Sequence, residues 1–172
     1  MLAFEIIYKW YAIYTKSRAE KAVYERLLEQ QIEVFLPLEK KLRRWSDREK
    51  WVETPYINSY VFVKASEKEY YNVLNTLGVV RYVTFEGKAA PIPEWQIDAM
   101  KKIINSNHAF HFSSHRFRKG ETIKIEQGVL AGYQGEVIRD TDGKKKILIR
   151  IDQIGYSMVA EVDILEVKKV KS

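Results

Sequence analysis

The strongest constraint on the fold is a regular alternation of apolar and polar residues in the C-terminal part of the chain. The alternation runs through residues 123–126, 136–138, 147–151 and 158–162, with turn candidates at Gly128, Gly132, Gly135, Gly143 and Gly155. A period of two places successive side chains on opposite faces of a strand, and glycine permits tight turns between short strands. The pattern therefore predicts a small β-barrel over residues 119–170.

The part of the chain before this region contains further strand patterns. Runs of β-branched and aromatic residues predict strands at 10–14, 32–38, 54–63 and 79–85. The charged residues 39–53, between the two middle strands, predict a long hairpin.

Three segments carry apolar residues at helical spacing. Ser17 lies three positions before Glu20, which predicts a capping box at the start of a first helix. The buried face of that helix is predicted at Ala22, Val23, Leu27 and Leu28. Further helices are predicted at 67–77 and 94–104. This order of elements predicts an α+β unit over residues 9–105, in which helices flank a mainly antiparallel sheet.

Residues 106–118 are polar without a regular period and predict a linker between the two units. They contain all three histidines of the chain, His108, His111 and His115. Imidazoles are good zinc ligands, but this segment offers no acidic side chain as a fourth ligand. We therefore expect no metal site and no cofactor.

The composition narrows the function classes. The chain has no cysteine, which excludes disulfides and thiolate chemistry. No apolar run approaches the roughly 18 residues of a membrane helix, and the N-terminus lacks the pattern of a secretion signal. No phosphate loop, nucleophile motif or acid pair indicates an enzyme. We expect a non-enzymatic cytoplasmic protein without a membrane partner, and its net charge of +6 favours polyanionic partners.

The glycine-rich turn in the C-terminal region resembles a known motif. Residues 119–125 (Lys-Gly-Glu-Thr-Ile-Lys-Ile) followed by 128–138 resemble a KOW motif, the strand–turn–strand that opens an SH3-like barrel. We expect Gly135 to stand where a side chain would obstruct the turn, while Gly128 and Gly132 let the loop fold tightly. The resemblance therefore implies that the predicted barrel is an SH3-like barrel of the KOW type.

The N-terminal unit carries a second resemblance. Residues 10–16 (Trp-Tyr-Ala-Ile-Tyr-Thr-Lys) and 60–63 (Tyr-Val-Phe-Val) are similar to the first and central strands of the amino-terminal domain, termed NGN, of the NusG family. Residues 78–83 and 91–93 are similar to a later strand of that domain and to the entry into its last helix. Taken with the KOW motif, the resemblance to NusG-type transcription elongation and antitermination factors spans residues 9–168.

One segment departs from the family pattern. The family's usual Phe-Pro-Gly before the central tyrosine is Ile57-Asn58-Ser59 here. This departure points toward a specialised, UpxY-like paralogue that promotes processive elongation at particular operons. The alternatives are a general NusG-type elongation and termination-coupling factor, or a KOW-containing protein that binds RNA or the ribosome.

The resemblance implies RNA polymerase as a partner. In the family, an apolar and aromatic patch of the amino-terminal domain binds the clamp helices of the largest polymerase subunit. The matching positions here are Tyr11, Tyr14, Tyr60 and Phe62. Tyr60 and Phe62 share one face of their predicted strand, and we expect that face to meet the partner. Alternatively, every second residue of these strands packs in the core of the protein and does not contact a partner.

Nucleic acid is the second expected partner, as the non-template DNA strand or nascent RNA. Residues 40–51 hold six basic and two acidic side chains with Trp45 and Trp51 interleaved, which suits phosphates and unstacked bases. The resemblance adds residues at the start of the second helix. The candidate set is Lys16, Arg18, Lys40, Lys41, Arg43, Arg44, Trp45, Lys68, Tyr70, Tyr71 and Asn72. The alternatives are a solvated hairpin and a plain helix face.

The resemblance also gives the KOW barrel a partner. Family members recruit a ribosomal protein or a termination factor at this barrel, and we expect such a contact at its open faces around Leu130, Tyr133 and Ile154. Because factors of this kind bridge the polymerase cleft, a monomer is expected.

Overall fold

The computed structural model describes residues 5–116, 120–139, 145–161 and 167–169. The chain divides into two compact units, Met1–Pro91 and Ile92–Ser172. The predicted α+β class is confirmed, since a helix-flanked antiparallel sheet is followed by an antiparallel β-unit. The finer domain boundaries expected at residues 105 and 118 stay predictions.

The first unit is organised around one sheet. Its elements are β1 (Lys9–Thr15), α1 (Glu20–Glu29), β2 (Glu33–Phe35), β3 (Leu38–Arg44), β4 (Glu49–Pro55), β5 (Tyr60–Ala65), α2 (Tyr70–Leu74), β6 (Val79–Tyr82), β7 (Thr84–Phe85), β8 (Lys88–Ala89) and β9 (Pro91–Ile92). The sheet has the order β2-β5-β1-β6 with antiparallel neighbours, and β9 pairs with β1 outside this path. β3 with β4, and β7 with β8, form two separate two-stranded sheets.

One face of the main sheet carries the core of the first unit. Ile13 of β1 and Val61 of β5 share a buried cluster with Val23 and Leu27 of α1. The period of two in the strands and the spacing of four in the helix put these side chains on facing surfaces. Leu28, which was predicted to be buried, is 47% exposed because it lies about 140° round the helix from Val23.

The predicted capping box at Ser17 is wrong. α1 begins at Glu20 with no side-chain cap, and the Glu20 carboxylate accepts a hydrogen bond from the backbone N–H of Ser59 at 2.7 Å. The acidic residue at the helix start is thus recruited by a turn that is distant in sequence. Local spacing cannot show such a partner.

The second helix is shorter than predicted. It spans Tyr70–Leu74 rather than residues 67–77. Before it, the N–H and the hydroxyl of Ser66 donate to Glu69 Oε2 at 2.9 and 3.0 Å, a contact of the capping-box type. After it, the Thr76 hydroxyl donates to the carbonyl of Asn72 at 2.8 Å. Side-chain hydrogen bonds therefore close turns on both sides of a single helical segment.

The charged segment forms the hairpin that the sequence predicts. β3 and β4 pair antiparallel without interruption from Leu38 opposite Pro55 to Arg44 opposite Glu49. Leu38 packs against the core cluster of the sheet, and the distal part of the hairpin is largely exposed. The hairpin therefore presents two solvent-facing surfaces.

The second unit is mainly antiparallel sheet. Its elements are α3 (Glu94–Ile104), β10 (Phe110–Ser113), β11 (Glu121–Ile125), β12 (Gln134–Arg139), β13 (Lys145–Ile151), a 3-10 turn (Asp152–Ile154), β14 (Tyr156–Ala160) and β15 (Val167–Lys169). The strand order is β10-β14-β13-β12-β11-β15. In β11, alternate residues such as Ile123 and Ile125 are buried, as the period of two predicts. In β13 and β14, consecutive residues are buried, from Lys146 to Ile149 and from Ser157 to Ala160, so both faces of these two strands are covered.

The segment predicted as a linker contributes a strand. β10 lies within residues 106–118 and pairs with β14 from Phe110 opposite Ala160 to Ser113 opposite Ser157. The segment as a whole is polar without a period, but Phe110 and Phe112 alternate with polar neighbours, which is the pattern of a short strand. Residues 110–113 are therefore strand rather than free linker.

Candidate functional site

A row of three side chains crosses the main sheet on the face opposite to the core cluster. Tyr60 of β5, Tyr14 of β1 and Arg81 of β6 are direct cross-strand neighbours. The rings of Tyr14 and Tyr60 meet edge to face with centroids 5.5 Å apart, and the Arg81 guanidinium carbon lies 5.6 Å from the Tyr14 ring centroid. Both tyrosines are half-buried and Arg81 is exposed. We call these three residues the Tyr14 row.

Phe62 lies on the same face but has no exposed surface. Its ring stacks on that of Phe35, its neighbour on β2, with centroids 5.9 Å apart. Phe62 therefore packs inside the protein and does not contact a partner directly, contrary to the expectation from the sequence. Of the predicted pair, Tyr60 keeps exposed surface.

Tyr11 lies on the opposite face of the sheet and joins the packing around the core cluster. It is the neighbour of Val63 across the β1–β5 pair, and its ring contacts Tyr82 edge to face at 5.7 Å. Burial, together with the Glu67 carboxylate, raises the pKa of Tyr11 above its usual value. The four residues predicted for polymerase binding therefore do not form one surface.

Tyr70 is likewise held by packing. It stacks on Tyr82 with ring centroids 4.4 Å apart, and burial raises the pKa of Tyr82 strongly, with Tyr70, Tyr11 and Glu69 adding to the effect. The neighbouring candidates Lys68, Tyr71 and Asn72 are exposed, and Tyr71 shows 68% of its surface. At this end of the unit, three of the four predicted nucleic-acid residues are accessible.

The first face of the β3–β4 hairpin is electrically balanced. It carries the cross-strand pairs Lys40–Glu53, Leu42–Trp51 and Arg44–Glu49. The outer two pairs are ion pairs, with N···O distances of 4.0 and 2.6 Å. Trp51 between them is 65% exposed. The charges of Lys40 and Arg44 are thus partly neutralised. The most exposed apolar side chain on this face is Trp51.

The second face of the hairpin keeps an excess of positive charge. Lys41 is paired with Glu39 at 2.7 Å. Arg43 and Lys50 stand directly opposite each other, and neither forms an ion pair with any residue that the structure describes. Like charges in this position repel. Lys50 was outside the predicted set, because its position across from Arg43 depends on the register.

The remaining candidates for nucleic-acid binding, one tryptophan and two basic residues, lie in or next to turns. Trp45, near the hairpin tip, is covered on one side by the Arg48 guanidinium, 5.7 Å from the ring centroid. Lys16 and Arg18 are exposed in the turn between β1 and α1, where Arg18 has φ 62°. Both cations are therefore accessible.

The predicted KOW turn has the geometry expected of Gly128 and Gly132, whereas Gly135 lies in β12 and is constrained by the neighbouring strand β13. Gly128 and Gly132 have φ of 81° and 90°, in the region that favours glycine. A Cβ at Gly135 would lie 2.8 Å from Cγ2 of Ile147. The loop is closed by the Gly132 N–H, which donates to the Ile125 carbonyl at 2.7 Å.

The expected partner surface of the second unit is partly covered. Leu130 and Ile154 are buried, which corrects their assignment to open faces. Tyr133 packs near Trp95 of α3 at 6.4 Å between ring centroids, and the Lys102 ammonium lies 4.7 Å from the Tyr133 ring centroid. These contacts leave Tyr133 half-buried.

Across residues 5–116, 120–139 and 145–161, no three histidine, aspartate or glutamate side chains come together as metal ligands. In the same part of the chain, no helix has the length and apolar character needed to cross a bilayer.

Comparison with known families decides the relationship that the strands suggest. The family described as "Transcription termination factor nusG" matches residues 8–101, more than half of the 172 residues. The chain belongs to the NusG family. It is therefore a NusG-type transcription termination/antitermination factor, in a family of non-enzymatic transcription factors.

Similarity to individual NusG proteins extends beyond the matched segment. The transcription termination/antitermination protein NusG of Pseudomonas aeruginosa is 24% identical over 174 residues, covering 94% of this chain and 98% of that protein. The protein of the same name from Staphylococcus epidermidis is 24% identical, with 94% and 96% covered. The solved structure "Domain interaction in Thermotoga maritima NusG" covers 96% of this chain and 98% of that chain, at 18% identity and a TM-score of 0.49.

Proposed function

We propose that the chain binds RNA polymerase through the Tyr14 row and promotes processive elongation and antitermination. The observation that carries this proposal is the unbroken line Tyr60–Tyr14–Arg81 across three strands. Tyrosine and arginine are the side chains that most often dominate protein interfaces, since they bury large areas and end in hydrogen-bonding groups. The clamp helices of the largest polymerase subunit, the contact that the NusG resemblance implies, are the partner surface.

Bound there, the protein would bridge the polymerase cleft, hold the clamp closed and disfavour hairpin-induced pausing. The accessible cations of the first unit suit the non-template DNA strand or nascent RNA. The second unit would recruit a ribosomal protein or a termination factor. A monomer acting in the cytoplasm fits this role.

The Ile57-Asn58-Ser59 segment favours a specialised, UpxY-like member that acts at particular operons. Ile57 is fully buried and Ser59 has φ 64°, so the segment keeps a tight turn without the family's proline and glycine. In transcription reactions, an operon-specific factor increases readthrough on its own leader template and leaves an unrelated template unchanged. Equal readthrough on both templates identifies a general elongation factor instead.

Polymerase binding is tested with the full chain and purified core RNA polymerase. Tyr14→Ala and Tyr60→Ala are each expected to weaken binding about tenfold or more, as interface anchors do. Phe85→Ala removes a 71% exposed aromatic ring from the separate β7–β8 hairpin and is the matched control. Biolayer interferometry against immobilised polymerase measures the dissociation constants.

Unchanged affinity in both tyrosine variants contradicts the proposed surface. No binding by the folded wild-type chain contradicts polymerase binding altogether and favours the RNA- or ribosome-binding alternative.

A further inference from the structure

A groove of about 900 Å³ lies between α1 and the β3–β4 hairpin. It is lined by Lys21 of α1 and by Lys40, Lys50, Trp51, Val52 and Glu53 of the hairpin. None of these residues belongs to the Tyr14 row or to the start of α2. The groove is therefore a separate surface of the first unit.

The lining has a clear charge imbalance, with three lysines against one glutamate. Glu53 is matched to Lys40 at 4.0 Å. Lys21 and Lys50 form no ion pair with any residue in the described part of the chain. Two uncompensated ammonium groups, one on each side of the groove, suit a ligand that carries repeated negative charge.

The aromatic member of the lining narrows the class of ligand. Trp51 is 65% exposed and lines the groove together with the three lysines. A free aromatic face next to cations offers a stacking platform for a base whose own face is free. Bases in a duplex are covered by their neighbours, and carboxylates of an acidic peptide have no ring to stack.

We infer that this groove binds single-stranded nucleic acid, with a base stacked on Trp51 and backbone phosphates on Lys21 and Lys50. The inference deepens the proposed function by naming the surface that contacts the strand. It also moves the nucleic-acid contact from the tip around Trp45 to the part of the hairpin that lines the groove with Lys21 of α1. Because oligonucleotide binding needs no polymerase, either proposal can fail alone.

The test is fluorescence anisotropy of the full chain with a labelled single strand of about twelve mixed nucleotides, the length of a typical single-strand site. Trp51→Ala is expected to weaken binding about tenfold, and Trp51→Phe to retain most of the affinity. Lys21→Ala and Lys50→Ala are each expected to reduce the slope of log affinity against log salt by about 0.7.

The β7–β8 hairpin provides matched controls. Phe85 and Lys88 are an exposed aromatic–lysine pair directly across that hairpin, so Phe85→Ala and Lys88→Ala remove the same chemistry elsewhere. Circular dichroism melts establish that each variant is folded. Losses confined to the groove variants support the inference.

Three results overturn it: equal losses in the β7–β8 controls, unchanged binding in Trp51→Ala, or tighter binding to a duplex of the same sequence. Binding of labelled polyglutamate that depends on the same three residues would identify an acidic protein segment as the ligand and would also overturn it.

Discussion

Ser59 has a backbone conformation that usually belongs to glycine. Its φ of 64° lies in the left-handed region, which is unfavourable for residues with a Cβ by roughly 1–2 kcal/mol. Two contacts hold the turn in place: the Ser59 N–H donates to Glu20 at 2.7 Å, and the Ser59 carbonyl accepts from the Thr15 N–H at 2.8 Å. The strain at this residue is therefore supported by β1 and α1.

Replacement of Ser59 by glycine is expected to stabilise the protein by about 0.5 kcal/mol. Relief of the left-handed strain exceeds the larger conformational entropy that glycine gives the unfolded chain. Urea unfolding measures the change. Ser46→Gly, at a hairpin turn where φ is not positive, is the control and is expected to be neutral or destabilising. If Ser59→Gly lowers the free energy of unfolding, the Ser59 hydroxyl stabilises the folded protein by more than the left-handed strain destabilises it.

Burial of Tyr82 predicts a loss of stability in alkaline solution. Burial raises the pKa of Tyr82 above the ordinary value of 10.0. Below pH 10 the group is protonated in both states and has no effect. Above pH 10 the unfolded chain loses the proton and the folded protein keeps it, so the free energy of unfolding falls by up to about 1.4 kcal/mol per pH unit.

Tyr82→Phe is expected to make this alkaline decline shallower, while lowering stability little at pH 7 because the Tyr82 hydroxyl makes only a 3.5 Å contact with the Tyr70 carbonyl. Denaturant unfolding at pH 8, 9.5 and 11 measures both effects. An identical decline in the variant would assign the pH dependence to other groups.

At the scale of single elements, β10 ties part of the predicted linker to the second unit. Its pairing with β14 is extended by the Glu161 N–H, which donates to the Ala109 carbonyl at 2.9 Å. Amide protons of β10 that point toward β14 are therefore expected to exchange at least tenfold more slowly than those of residues 114–116. Hydrogen exchange with residue-level resolution measures this, and equal rates in the two segments would show that β10 does not hold its place at the sheet edge.

Elements were predictable from the sequence where the signal is local. The charged run 39–53 folds as the expected hairpin, and β13 (Lys145–Ile151) is a strand where the sequence predicted one. The errors arose where the partner is distant in sequence. Ser17 does not cap α1, because the helix begins only at Glu20, whose carboxylate is engaged by Ser59. Residues 110–113 form a strand because β14 offers them an edge.

The candidate site was predictable only where it depends on local patterns, and not where it depends on strand register or on residues distant in sequence. The alternation of β5 correctly places Tyr60 and Phe62 on one face, but it cannot tell which of them is covered. Arg81 joins Tyr14 only through the register of β1 with β6. Lys21 and Trp51 lie 30 positions apart and meet only when the hairpin folds beside α1.

At the scale of the whole molecule, the two units give different kinds of surface. The first unit combines an aromatic row on its sheet with a basic hairpin, and the second offers an antiparallel sheet with a glycine turn. We thus propose separate surfaces of one chain for the polymerase, for nucleic acid and for a further protein.

The β3–β4 hairpin stands apart from the main sheet and shares with its core only Leu38, among the residues described. Two-stranded ribbons contribute little to the stability of a unit on their own. Changes in the length or charge of the hairpin beyond Leu38 therefore leave the folding of the first unit nearly untouched. Sequence changes in this hairpin can therefore alter its surface while the sheet and its helices keep their fold.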